Sequence, residues 1–141
     1  MNTLSEPTKH TGRRALVVDD EPQVGQIMGR VLEQMGYAVD FALDGEQAVS
    51  LTDAQAYDIV VCDLLMPRLN GMALYDIWSA RAPALIPHTI FVTGDNLGAE
   101  TTEFIRRTAR PCIFKPFRLH DLADVVAGVQ KVAGEPPLSR Q

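Results

Sequence analysis

Four short stretches of the chain set reactive side chains directly after apolar runs. Asp19-Asp20-Glu21 follows Ala15 to Val18, Asp63 follows Ile59 to Cys62, Thr93 follows Thr89 to Val92, and Lys115-Pro116 follows Cys112 to Phe114. A carboxylate at the end of a buried run costs free energy unless something pairs with it. Brought together, Asp19, Asp20 and Asp63 would repel, by roughly 4 kcal/mol for two charges 4 Å apart at an effective dielectric of 20. Such a cluster needs a cation. Mg2+ suits it, with Mn2+ as a substitute, because Mg2+ takes few carboxylates, keeps several waters and shares its other positions with phosphate oxygens. Lys115 adds a fixed positive charge and Thr93 a hydroxyl, and no His or Cys ligand accompanies them. That inventory suits phosphoryl transfer, where catalysis is mainly positioning and charge neutralisation. Asp63 is then the nucleophile that forms an acyl phosphate. Asp20 holds the metal, Asp19 assists through water or hydrogen bonds, and Thr93 donates to a phosphoryl oxygen.

Each element taken singly has a plainer reading. Asp-Asp after a strand commonly makes a turn or a helix cap. Thr-Gly is an ordinary loop, and Lys-Pro a solvated charge beside a rigid turn. Their joint value depends on whether the fold brings them to one edge.

The elements that would do so are legible as alternating strands and helices. Ala15 to Val18, Tyr37 to Phe41, Ile59 to Cys62, Thr89 to Val92 and Cys112 to Phe114 read as strands. Between them, Val24, Ile27, Met28, Val31, Leu32 and Met35 recur at helical spacing up to Gly36, which suits a left-handed helix end. Asp44-Gly45-Glu46-Gln47 resembles a capping box that opens a helix with Ala48 and Leu51 inward. Asn70 can cap a helix carrying Leu74, Ile77, Trp78 and Arg81, closed by Pro83. A polar helix around 99–108 and a last helix with Leu119, Leu122, Val125, Val126 and Val129 complete the set. Continuous apolar strands alternating with helices imply a parallel sheet covered on both faces. Right-handed crossovers favour a doubly wound α/β sheet, whose sites lie at the carboxyl ends of the strands. With strand order 2-1-3-4-5, the first and third strands are neighbours and the three acids converge.

The chain has 141 residues, 46% hydrophobic and 22% charged, which fits one domain with its own core. Residues 1–12 and 134–141 read as flexible tails around a structured unit at 13–133. A net charge of −5 and the lack of a basic block argue against direct DNA binding. No stretch approaches the roughly 18 apolar residues of a membrane span, and the N-terminus has no leader pattern. Cys62 and Cys112 both sit in apolar runs, which points to a reducing, cytoplasmic setting.

The ordered set D-D-E (19–21), D-L-L-M-P-x-x-x-G (63–71), V-T-G (92–94) and K-P-F (115–117) resembles the receiver domain of bacterial two-component response regulators. The resemblance covers nearly all of 13–133 and implies a flavodoxin-like fold. It implies that Asp63 accepts a phosphoryl group from a histidine kinase or a histidine phosphotransfer protein and signals to a downstream protein. It also implies metal binding by Asp19, Asp20, Asp63 and the backbone carbonyl of Leu65. Thr93 matches the switch hydroxyl and Lys115 the phosphate-pairing lysine, with a cis peptide at Lys115-Pro116. A receiver is a signalling module that catalyses only its own phosphorylation and dephosphorylation.

Two departures from the pattern matter. Where the family carries an aromatic that turns inward on activation, this chain has Cys112, and Phe114 on the same strand face is the candidate substitute. Leu65 and Asp95, two residues past Asp63 and Thr93, would border the phosphoryl group. A haloacid-dehalogenase-type phosphatase needs a second acid where Leu65 stands, and a nucleotide-binding domain needs a Gly-rich loop where Asp20-Glu21-Pro22 stands. The surviving alternatives are a phosphorylation-independent scaffold and a receiver excised from a hybrid histidine kinase.

Overall fold

The computed structural model describes residues 12–94 and 98–132. Apart from Gly12, the expected tails fall outside the described residues, as do the boundary at 133 and Asp95. Eleven elements follow in order: β1 (Arg13–Val18), α1 (Pro22–Gln34), β2 (Tyr37–Ala42), α2 (Gly45–Ala54), β3 (Ile59–Asp63), α3 (Gly71–Arg81), a 3-10 helix (Pro83–His88), β4 (Thr89–Thr93), α4 (Ala99–Thr108), β5 (Cys112–Phe114) and α5 (Leu119–Val132). The strands form one five-stranded sheet in the order β2-β1-β3-β4-β5, and each neighbouring pair is parallel. The architecture is the doubly wound α/β sheet read from the sequence.

Alternation along the central strands divides the interior into two layers. Ala15, Val17, Ile59, Val61, Ile90 and Val92 meet Met28, Val31 and Leu32 of α1 and Leu122, Val126 and Val129 of α5. Leu16, Val18, Val60, Cys62 and Phe91 face the other way, toward Ala48 of α2, Leu74 and Trp78 of α3, and Phe104 of α4. Both faces are buried, so β3 and β4 show five consecutive buried residues each. Each large apolar side chain so enclosed contributes roughly 1.5–3 kcal/mol relative to exposure.

Local chemistry sets the helix ends. Pro22 occupies the first helical turn of α1, and Gly36, at φ 101°, takes the left-handed conformation after its end. Asp44 caps α2 by accepting from the Gln47 backbone N–H at 2.7 Å, while the Gln47 side chain accepts from the Leu43 N–H at 2.6 Å. The reciprocal bond of the expected capping box thus lands one residue before the cap. Asn70 caps α3 through the Ala73 N–H at 3.0 Å. The 3-10 helix is absent from the sequence reading. It begins at Pro83, where α3 stops, and is anchored by the buried Leu85.

Candidate functional site

The sheet's own hydrogen bonds carry the site. Just beyond the paired strands, the Asp19 N–H donates to Ala42 O at 3.1 Å, the Leu64 N–H to Val92 O at 2.8 Å, and the Lys115 N–H to Thr93 O at 2.7 Å. The backbones around Asp19, Asp63, Thr93 and Lys115 are therefore held as extensions of the ladder. Gly71 closes the loop after Asp63, with its N–H donating to Leu64 O at 3.0 Å. A Cβ at position 71 would stand 2.8 Å from Asp63 O, so only glycine permits this approach without a shift of backbone.

Asp19, Asp20 and Asp63 each bring a carboxylate oxygen within 4.8 Å of the others. Asp19 and Asp63 are 2% and 4% exposed, whereas Asp20 is open to solvent. Lys115 reaches in from the end of β5, its Nζ 3.3 Å from Asp63 Oδ2, 3.8 Å from Asp19 Oδ2 and 3.9 Å from Glu21 Oε1. Thr93 ends β4, one residue past the Asp63 and Val92 pair, and is fully buried.

The electrostatics follow from burial. Burial pushes Asp19 up to about 6; the Glu21 N–H and Lys115 oppose that rise, while Asp63 and Asp20 add to it. Burial also raises Asp63, against the Leu65 N–H and Lys115 and with help from Asp20. Burial pulls Lys115 down, but Asp63, Asp19 and Glu21 outweigh it and the ammonium is held above its ordinary value. Among the described residues, the buried Asp19 Oδ2 and Thr93 Oγ1 have no hydrogen-bond partner. Such orphaned oxygens are costly unless an ion, a water or a ligand completes them.

The structure thus brings together Asp19, Asp20, Asp63 and Lys115. One participant, Glu21, was not assigned to the site from sequence, and Leu65, expected to act through its carbonyl, contributes its N–H. Glu21 supplies a third carboxylate near Lys115, and its N–H donates to Asp19 Oδ1 at 2.8 Å. Its place beside the acidic pair was the available signal. The Leu65 N–H donates to Asp63 Oδ1 at 3.1 Å, while its side chain is exposed. A backbone donor leaves no mark in a sequence, since every residue but proline has one.

Downstream of Thr93, Cys112 and Phe114 sit at different depths. Cys112 is half-buried and packs against the core on the α3 and α4 face, paired in register with Phe91. Phe114 pairs with Thr93, is 45% exposed and belongs to neither core layer. The three-residue β5 lies at the sheet edge, where no further strand among the described residues covers it. The Lys115-Pro116 peptide is cis.

Chemically, the edge offers carboxylates able to hold a hard divalent cation, a nucleophilic oxygen on Asp63 and a fixed ammonium beside it. A family model described as the response regulator receiver domain matches residues 15–127. The response regulator MprA of Mycolicibacterium vanbaalenii is 33% identical over 109 residues, covering 77% of this chain and 46% of that protein. The transcriptional regulatory protein TcrA of Mycobacterium tuberculosis is 41% identical over 61 residues, 43% of this chain and 24% of that one. The chain thus spans less than half the length of either regulator. Among solved structures, the receiver domain of NtrX from Brucella abortus superposes with a TM-score of 0.73 at 28% identity, covering 83% of this chain and 98% of that one. A receiver domain from Methanospirillum hungatei shares the fold, with a TM-score of 0.77 at 22% identity over 86% and 95% of the two chains. This chain belongs to the response regulator receiver domain family of two-component signalling proteins.

Proposed function

We propose that residues 13–133 form a phosphoacceptor receiver that takes a phosphoryl group from a phosphohistidine onto Asp63, with Mg2+, and passes the event to a partner protein. The donor is a histidine kinase or a histidine phosphotransfer protein, and the setting is cytoplasmic. The observation that carries this reading is the convergence of Lys115 on Asp63 and Asp19, with the Asp19 Oδ2 and Thr93 Oγ1 atoms buried and lacking hydrogen-bond partners among the described residues. Among the described residues no helix is long and apolar enough to cross a membrane. The transcriptional role in the relatives' names belongs to longer proteins, and the partners proposed here are proteins.

An oxygen of Asp63 attacks phosphorus as the phosphorus–nitrogen bond of the phosphohistidine breaks, and that bond's electron pair leaves with the imidazole. Lys115, 3.3 Å from Asp63 Oδ2, favours the ionised carboxylate against its burial and is placed to pair with a phosphoryl oxygen. The Leu65 N–H on Asp63 Oδ1 fixes the carboxylate's orientation. The Thr93 hydroxyl, lacking a hydrogen-bond acceptor, is free to donate to a phosphoryl oxygen. Asp19, Asp20, Asp63 and the Leu65 carbonyl are the groups to hold the metal. When bound, Mg2+ supplies the positive charge that offsets both the acids and the transferring phosphoryl oxygens.

Incubation with Mg2+ and acetyl phosphate should add one phosphoryl group, read by intact mass, and Asp63→Asn should abolish the adduct. No adduct on the wild-type chain overturns the phosphoacceptor reading and favours the phosphorylation-independent scaffold.

A further inference from the structure

We infer that an aromatic contact linking the site to the exposed face of α4 is supplied by α4 itself, through Phe104, in the core layer where β5 carries Cys112; this rests on the phosphoacceptor reading above. Helix α4 is polar, and only Thr101 and Phe104 are buried in it. The Phe104 ring meets Phe91 of β4 edge-on, with centroids 5.4 Å apart at 72°. It meets Tyr75 of α3 at 5.3 Å and 87°, and Tyr75 lies 6.4 Å from Phe91. These are favoured, directional geometries for aromatic pairs. On the outer side, the Arg107 guanidinium lies 5.6 Å from the Phe104 ring centroid.

The placement of the three rings gives the cluster its role. Phe91 precedes Thr93 by two residues on the same strand, and its register partner is Cys112. Cys112 packs against the same core as Phe91 and Phe104. A thiol is too small to fill a ring's volume, and Phe104 brings a ring to that layer from the helix side. Tyr75 stands on α3, whose first residue is tied by hydrogen bond to Leu64, the neighbour of Asp63. One ring is therefore borne by the strand of the switch hydroxyl, one by the helix that follows the acceptor loop, and one by α4.

A pull on Thr93 toward a phosphoryl oxygen, or a movement of the loop after Asp63, reaches α4 by direct ring contact. Phe104 is the large side chain of α4 that is fully enclosed, with Ile105 partly buried against the same layer, so α4 shifts as a body when its ring does, in the manner of helix shifts between packed arrangements. The exposed surface carrying Glu103, Arg106 and Arg107 moves with it.

The test is hydrogen exchange across residues 99–108 in the full chain, with and without Mg2+ plus beryllofluoride, the acyl-phosphate mimic. Acetyl phosphate uptake is followed in parallel by intact mass. In the wild type the mimic should change α4 exchange several-fold. Phe104→Leu, which keeps an apolar side chain in the pocket, should still take a phosphoryl group but show a response several-fold smaller. Val126→Ala, which weakens the opposite core layer, should keep the wild-type response and so separate coupling from lost stability. An adduct on Phe104→Leu with an undiminished α4 response overturns the relay alone, as does an adduct on the wild type with no α4 response. A wild type that takes no phosphoryl group overturns the receiver reading and the relay with it.

Discussion

Asp19 is buried to 2% exposure and accepts from the Glu21 N–H at 2.8 Å. Burial holds its carboxyl near 6, so between the ordinary carboxylate range and about 6 the folded chain binds the proton more tightly than the unfolded one. Stability therefore falls as pH rises through that window, and at neutral pH the ionised group costs on the order of 2 kcal/mol. Asp19→Asn removes the charge and keeps an oxygen for the Glu21 N–H. We expect it to raise the melting temperature of the metal-free protein by several degrees at pH 7.5 and by little below pH 4, where the wild-type carboxyl is already protonated. Scanning calorimetry at the two pH values checks this, and no gain at pH 7.5 would show that Lys115 already compensates the charge. Asp20 differs because it is exposed. Asp20→Ala should weaken Mg2+ binding strongly while leaving the melting temperature of the metal-free protein nearly unchanged, as metal titration and the same calorimetry will read.

At the level of elements, one carboxylate on the edge strand β2 gathers three donors beside the strand's ladder with β1. Asp40 accepts from Arg14 at 2.9 Å, from Gln55 at 2.8 Å and from Tyr57 at 2.7 Å. These donors come from β1 and from the segment between α2 and β3, so Asp40→Ala should loosen both connections at a cost of roughly 1–3 kcal/mol. Urea unfolding checks the loss. Phosphoryl uptake per folded molecule should be unchanged, since none of these groups contacts Asp63. The sheet and its helices were legible because most strands are short continuous apolar runs and the helices repeat their apolar positions at about 3.6. The 3-10 helix at Pro83–His88 was not, because its six residues are too few to carry a period and its two prolines read as breaks. The depth of Phe114 was not legible for a related reason. Sharing a strand face with Cys112 says nothing about depth, and the third residue of a short edge strand already lies at the rim of the core.

Across the whole molecule, a net charge of −5 is combined with three acids gathered at one edge. A cation held there stabilises the native state by mass action, by about 1.4 kcal/mol at ten times its dissociation constant. We expect Mg2+ to raise the melting temperature more at pH 7.5 than at pH 5, because at pH 5 protons compete for Asp19, held near 6, and for the raised Asp63. An equal gain at both values would remove Asp19 from the metal site. The gathering of Asp19, Asp20, Asp63 and Lys115 was legible once the strand order was taken as 2-1-3-4-5, since each residue stands at a strand end. The ring cluster was not, because Tyr75, Phe91 and Phe104 lie on separate elements and each reads alone as ordinary core. The lysine arrives on the last and shortest strand, 52 residues after its carboxylate partner. During synthesis, the ribosome therefore releases Asp63 well before its counter-charge exists. If the pairing is needed for phosphoryl uptake as proposed, an unfinished or proteolytically clipped chain is a silent receiver, and signalling competence becomes a check that the whole sheet has been assembled.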